Sequence, residues 1–257
     1  MNPKKTAVVT LLAFWILAPA MAATSASTVA FLKKLNSYYY CLSQEGLKNY
    51  HCDINLSDAP SGGDAALWKA VQKAGFTVDD SVTDATSVQG FPAPPTGDAP
   101  LDARVAKLQQ ILLDSLKTFL QSWKSFAMEP LNDPADMEKN DLKFKREESG
   151  FKVAQTDSSG TMLVGSFDKK GKLTEFLIQD SSSKTVVDPG FTNTQKGYLL
   201  TSLIFKAADT NQEFKVGYGV VDRYWLPKDL SIKVNLGDAG AGDVELHFHF
   251  SNYRVNQ

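Results

Sequence analysis

The segment Asp243-Val244-Glu245-Leu246-His247-Phe248-His249-Phe250 alternates apolar and polar residues without a break. Successive side chains of an extended strand point to opposite faces. Val244, Leu246, Phe248 and Phe250 therefore share one face, and Glu245, His247 and His249 share the other. A strand with one dry and one wet face belongs to an antiparallel sheet packed on one side only. The two stretches before it repeat the pattern. In 229–236, Leu230, Ile232, Val234 and Leu236 oppose Ser231, Lys233 and Asn235. In 213–221, Phe214, Val216, Tyr218 and Val220 oppose Glu213, Lys215, Gly217 and Gly219.

Further upstream the two-residue period holds back to Asp141, predicting strands at 142–147, 151–156, 161–167, 173–179, 184–188 and 197–207. Turn signals separate them: Asp157-Ser158-Ser159-Gly160, Asp168-Lys169-Lys170-Gly171 and Asp209-Thr210-Asn211. Loops this short imply antiparallel hairpins in sequence order. A meander of eight or nine strands cannot stay flat, so it curls, closes or splits into layers. The dry faces of one curled sheet converge on a single concavity, which a helix, a ligand or both must fill.

The helices lie before the meander. Ser27 or Thr28 can cap a helix with apolar positions Val29, Leu32, Leu35, Tyr39 and Leu42, stopped by Gly46 and followed by a strand at 49–56. Residues 57–100 are less regular. Asp64 caps a short helix over 65–74 that Gly75 ends, and Phe91-Pro92-Ala93-Pro94-Pro95 reads as a stiff connector barred from a sheet ladder. The strongest helix follows at 101–127, where Val105, Leu108, Leu112, Leu116, Phe119, Trp123 and Phe126 recur at helical spacing, Ile111 and Leu120 widen the stripe, and Pro130 and Pro134 mark the stop. That stripe has two readings, core packing or a lipid-facing lid.

The first 22 residues read as an export signal. Lys4 and Lys5 precede an apolar run over 7–17, too short for the roughly 20 residues of a membrane-spanning helix. Ala18-Pro19-Ala20-Met21-Ala22 supplies the small residues of a cleavage site, placed after Ala22 with Ala20 as the alternative. The expected location is periplasmic or secreted, with 23–257 as one domain. Removing Lys4 and Lys5 from 27 basic residues leaves 25 against 29 acidic ones, so the net charge moves from −2 to −4. That balance argues against a nucleic-acid partner. Cys41 and Cys52 are the only cysteines, and an even pair in an oxidising compartment is expected to be bridged, adding roughly 2–3 kcal/mol.

Signals for chemistry are weak. Glu245, His247 and His249 share a face and carry side chains that suit zinc, iron or manganese. That face is the polar one, and no second ligand cluster accompanies it, so we expect a solvated strand face and no metal. No G-x-S-x-G elbow or phosphate loop is present, and only three histidines are available as a base. The doublets Asp79-Asp80 and Glu147-Glu148 read as polar surface. No catalytic residue and no cofactor are expected.

The tail Val244-Glu245-Leu246-His247-Phe248-His249-Phe250-Ser251-Asn252-Tyr253-Arg254-Val255-Asn256 resembles the final strand of the LolA/LolB-like outer-membrane lipoprotein-sorting carriers. Arg223-Tyr224-Trp225-Leu226-Pro227 looks like their penultimate hairpin, and Gly46-Leu47-Lys48-Asn49-Tyr50 fits their opening helix-to-strand passage. The resemblance covers about 28–56 and 141–256 and leaves 57–140 as an insertion. It implies an α+β fold in which a curled antiparallel sheet forms a half-open barrel with helices covering its concave face. It also implies a periplasmic, non-catalytic carrier of lipid or lipoprotein acyl chains, with a membrane-bound donor or acceptor protein as a further partner. Under that reading the ligand cavity is lined by Leu108, Leu112, Phe119 and Trp123 from the helix and by Val216, Tyr218, Ile232, Val234, Leu246 and Phe248 from the sheet. The alternatives are an exported structural or protein-interaction module whose barrel is filled by its own helix and, third, a secreted hydrolase.

Overall fold

The computed structural model describes residues 26–58, 64–81, 86–127, 142–156, 160–207, 211–235 and 243–257. The leader 1–22, Pro130 and Pro134, the turn residues Asp157-Ser158-Ser159 and Asp209-Thr210, and Leu236 lie outside the described residues, as do the side chains of Ser27, Thr28, Val29 and Val234. Three helices are described: α1 (Ala26–Asn36), α2 (Ala65–Val71) and α3 (Ala99–Ala127). The strands are β1 (Asn49–Asp58), β2 (Gly75–Ser81), β3 (Ser87–Phe91), β4 (Lys143–Glu147), β5 (Gly150–Thr156), β6 (Met162–Asp168), β7 (Leu173–Gln179), β8 (Lys184–Thr194), β9 (Gly197–Lys206), β10 (Asn211–Val221), β11 (Tyr224–Asn235) and β12 (Asp243–Val255).

All twelve strands form one sheet in the order β3-β2-β1-β12-β11-β10-β9-β8-β7-β6-β5-β4. Every pairing is antiparallel. The run β4 to β12 is the expected meander. The two ends of the chain then meet, because β1 lies beside β12 with Tyr50 opposite Val255 and Ile54 opposite Phe250. No ladder joins β3 to β4, so the fold is α+β with an open, curled antiparallel sheet.

Within 57–140, β2 and β3 extend the same sheet beyond β1, and Phe91, read as part of a connector, pairs with Gly75 in the ladder. Asp64 caps α2 as expected, accepting from the backbone N–H of Ala66 and Leu67 at 3.0 and 3.2 Å, but the helix ends at Val71 rather than Ala74. The helix α3 starts two residues early because Asp98 accepts from the Leu101 N–H at 3.2 Å.

Two corrections concern the front of the chain. The first helix stops at Asn36, so Tyr39 and Leu42 lie beyond it. There the backbone leaves the helix to make an isolated parallel bridge with Tyr198, in which Tyr198 donates to the Tyr38 carbonyl at 2.7 Å and Tyr40 donates to the Tyr198 carbonyl at 2.9 Å. Gly197 permits this approach: its φ is +111°, and a Cβ there would sit 2.6 Å from the Tyr38 carbonyl oxygen. Tyr39 still reaches the core expected of it, receiving the Leu173 N–H at 2.7 Å and donating to the Gly171 carbonyl at 2.8 Å.

The expected Cys41–Cys52 disulfide is absent. The two sulfurs are not bonded to each other, and both side chains are buried. Cys41 sits in the turn after α1 with its Sγ 3.1 Å from Ser43 Oγ, whereas Cys52 points from β1 into the core beside the Tyr253 hydroxyl. Bridging needs two Cβ atoms brought within about 4 Å, and an even count of cysteines says nothing about that separation. Burial pushes the Cys52 thiol up to about 12, which the Tyr253 hydroxyl only partly offsets. A thiol held neutral and out of water is unreactive. Both sulfurs are also shielded from solvent, so iodoacetamide without reductant should leave both cysteines of the native protein unmodified and add two labels in denaturant. A mass that shows labels only after reduction would restore the bridge.

Candidate functional site

The expected apolar site can be traced side chain by side chain. Leu108, Leu112, Leu116 and Leu120 form the buried stripe of α3 with Val105, Phe119 and Trp123. Opposite them, Ile232 and Leu230 come from β11, Phe214 and Val216 from β10, and Leu246, Phe248 and Phe250 from β12. These residues belong to one continuous apolar cluster that also includes Trp68 and Val71 of α2 and Ile54 of β1. Of the ten residues read as cavity lining, Leu108, Leu112, Phe119, Trp123, Ile232, Leu246 and Phe248 are 0–1% exposed, and Val216 is 7% exposed. Tyr218 is partly buried against the same cluster. Val234 lies on β11 opposite Val244, but its side chain lies outside the described residues.

Ring geometry fixes how α3 meets the sheet. Phe119 lies 5.7 Å from Phe214 at 30°, and Phe205 meets the same Phe214 ring edge-on at 5.7 Å. Trp123 packs edge-on to Tyr50 at 6.2 Å, and its Nε1 donates to the Tyr218 hydroxyl at 2.9 Å. Tyr218 passes its own proton to the Leu200 carbonyl at 2.6 Å. The chain Trp123–Tyr218–Leu200 thus carries a helix donor across to the β9 backbone, and burial raises the Tyr218 phenol above its ordinary pKa.

One strand-face expectation fails nearby. Val220 was assigned to the dry face with Phe214, Val216 and Tyr218, yet it is 67% exposed. The register between β10 and β11 shifts between Gly217 and Tyr218. The extra residue of that shift is Lys228 of β11, and Val220 lies beyond it, next to the end of β10 at Val221.

A second polar tie was missed altogether. The doublet Asp79-Asp80 was read as polar surface, but only Asp79 is exposed. The Asp80 side chain is fully buried and receives Lys124 Nζ of α3 at 2.7 Å and the Thr86 hydroxyl at 3.1 Å. Lys124 also donates to the Ser81 carbonyl. The signal was available: read as a strand, 75–81 sends Phe76, Val78 and Asp80 to one face, and Phe76 and Val78 are buried there. Asp80 in turn raises the Tyr50 phenol, second to burial itself.

The polar faces hold separate pairs. Asp79 meets His51 Nδ1 at 2.7 Å, Asp229 meets His249 Nδ1 at 2.9 Å, and Glu245 accepts from the Ser231 hydroxyl at 2.6 Å. Among the described residues no group of three or more His, Cys, Asp or Glu side chains stands close enough to hold a metal. Two surface clefts of ≈ 420 Å³ each open beside these pairs. One is bounded by His51, Asp79, Asp80 and Arg254, the other by Ser57, Lys215, Ser231 and His247, with Val216 and Phe248 contributing to its floor.

Removing Lys124 strands a buried carboxylate. Lys124→Ala should lower unfolding stability by about 3–5 kcal/mol in urea titrations, and the double replacement Lys124→Met with Asp80→Leu should recover most of the loss. Equal destabilisation by the single and double variants would show that the pair is not what holds this end of α3. Set against family models, curated proteins and solved structures, the chain matches none of them.

Proposed function

We propose that the protein is a non-catalytic, periplasmic LolA/LolB-like binding or carrier protein for an apolar ligand, a lipid or the acyl chains of a lipoprotein. In this reading the ligand lies on the apolar sheet face formed by Val216, Ile232, Leu246 and Phe248, and α3 is the movable cover over it. The observation that supports the proposal is that the apolar stripe of α3 and the apolar residues of β10–β12 belong to one buried cluster on a sheet with two unjoined edges. Displacing one helix would uncover a continuous apolar surface, whereas a closed sandwich would have to part whole strands. A membrane-bound donor or acceptor is the partner such a carrier requires, because acyl chains do not cross water unescorted.

A second reading is a structural or protein-interaction module whose helix permanently fills its own sheet. Its support is the near-complete burial of Leu108, Leu112, Leu116 and Trp123 against one another and the sheet. Ligand content separates the two. A carrier should retain lipid detectable by native mass spectrometry or solvent extraction, or take up a fluorescent acyl probe and change Trp123 emission as it does so. Leu112→Ala, which opens room in the cluster at a cost of about 2–5 kcal/mol, should raise probe uptake. Absence of both bound lipid and probe uptake, in the natural protein and in this variant, would leave the self-filled module as the function.

A further inference from the structure

The two ends of the sheet carry opposite charge. In an antiparallel meander every second turn falls at the same end. The turns β4–β5, β6–β7, β8–β9 and β10–β11 are therefore grouped together, and β7–β8 lies at the other end with the finish of β1 and the start of β12. The second end presents Asp58, Asp98 and Asp180, with Asp64 there paired to Arg104 at 2.7 Å. Hydrogen bonds from Ser183 and Ser182 hold the Asp180 carboxyl down at about 2, so it stays ionised.

The first end is basic. Lys169 and Lys170 are exposed in the β6–β7 turn, and Lys33 and Lys34 are exposed on the last turn of α1. Gly171 brings these two elements together. A Cβ on Gly171 would sit 2.5 Å from Leu35 and 3.0 Å from the Tyr38 ring, so the turn lies directly against the end of α1. Three of the nearby carboxylates are engaged, while Glu148 and Asp222 are exposed in the β4–β5 and β10–β11 turns. Asp168 accepts the Lys170 and Lys172 backbone N–H at 2.8 and 2.9 Å, Glu45 meets Lys196 at 2.7 Å, and Glu147 is shared by Lys145 and Lys152 at 3.4 and 3.6 Å. Among the described residues three large apolar side chains are exposed, and two of them, Tyr38 and Val220, are at this end.

We propose that this end, with Lys33, Lys34, Lys169 and Lys170 around the Tyr38 ring, is a docking surface for an anionic phospholipid bilayer. Lysines near a surface of anionic headgroups are drawn to it, and a half-exposed tyrosine suits the headgroup level, where an apolar ring and a polar hydroxyl are both accommodated. A chain of net negative charge is repelled by such a surface unless it is oriented, and the aspartate-bearing end supplies the orientation by pointing away. A nucleic acid calls for cations following an extended backbone, and a compact group of lysines about one ring does not offer that. The inference stands on charge placement and exposure, and it holds whether or not the protein carries acyl chains.

The test is co-sedimentation of the intact protein with vesicles of phosphatidylcholine alone and of phosphatidylcholine mixed with phosphatidylglycerol. Binding is expected to the mixed vesicles only, and it should weaken as salt is added. Lys170→Glu should reduce it by about tenfold. Lys184→Glu, the same charge change at the aspartate-bearing end, should leave it unchanged, and Tyr38→Ser should weaken it while sharpening its salt dependence. Circular dichroism confirms that the variants are folded. Equal binding to both vesicle types, equal loss in the two lysine variants, or no vesicle binding at all would overturn the proposal, including a case where the protein is retained on duplex DNA or an acidic protein instead.

Discussion

The contact between the leucine and aromatic stripe of α3 and the apolar face of β10–β12 is the interaction on which the rest of the fold depends. An antiparallel sheet satisfies its backbone within itself but leaves one face of side chains to be buried elsewhere. Here the ladder stays open between β3 and β4. Phe119 of α3 lies on Phe214, and Leu108 and Leu112 belong to the same buried cluster as Ile232, Leu246 and Phe248. A smaller cluster forms at the other edge, where Leu32 and Leu35 of α1 join Phe151, Phe167 and Leu173 and the Phe31 ring meets Phe144 and Phe151 edge-on. Each helix therefore answers to a particular set of strands.

The meander from β4 to β12 was legible because two local signals agreed there. Side chains alternated, and turn residues fell at regular intervals. Where one signal failed, the reading failed with it. Gly75, Gly90 and the Asp79-Asp80 doublet broke the apolar alternation of β2 and β3, so strands that pair residue for residue, β2 with β1 and β3 with β2, passed as irregular chain. The strand β12 continued five residues past Phe250 to Val255 because β1, distant in sequence, offers it a partner there. No local pattern encodes such a partner. Val220 illustrates the same limit at finer scale, since it is exposed near the end of β10 although the alternation written in the chain sets it with Phe214 and Val216.

The apolar members of the candidate site were legible for the same reason as the strands that carry them. Leu246 and Phe248 needed only the two-residue period, and Leu108, Leu112, Phe119 and Trp123 needed only the helical one. The polar members were not. Tyr218 bonds Trp123 and Leu200, which are 95 and 18 residues away, and Lys124 finds Asp80 at a separation of 44. Pairings of this kind arise from the tertiary arrangement. The disulfide expectation failed for the converse reason: compartment and parity can suggest a bridge, but only position makes one.

The Lys124–Asp80 pair also limits how α3 can be placed. A buried ion pair contributes little net stability over apolar residues of similar size, because desolvating both charges offsets most of their attraction. Its effect is to discriminate among placements. The stripe on α3 recurs every three or four residues, so a shift of one helical turn would still set leucine against apolar sheet residues at small cost. The same shift would withdraw Lys124 from Asp80 and Trp123 from Tyr218, leaving the buried carboxylate without its counter-charge and the Trp123 N–H without its acceptor. Apolar packing thus supplies most of the attraction between helix and sheet, and two polar contacts at the end of the helix select one register from several that packing alone would tolerate.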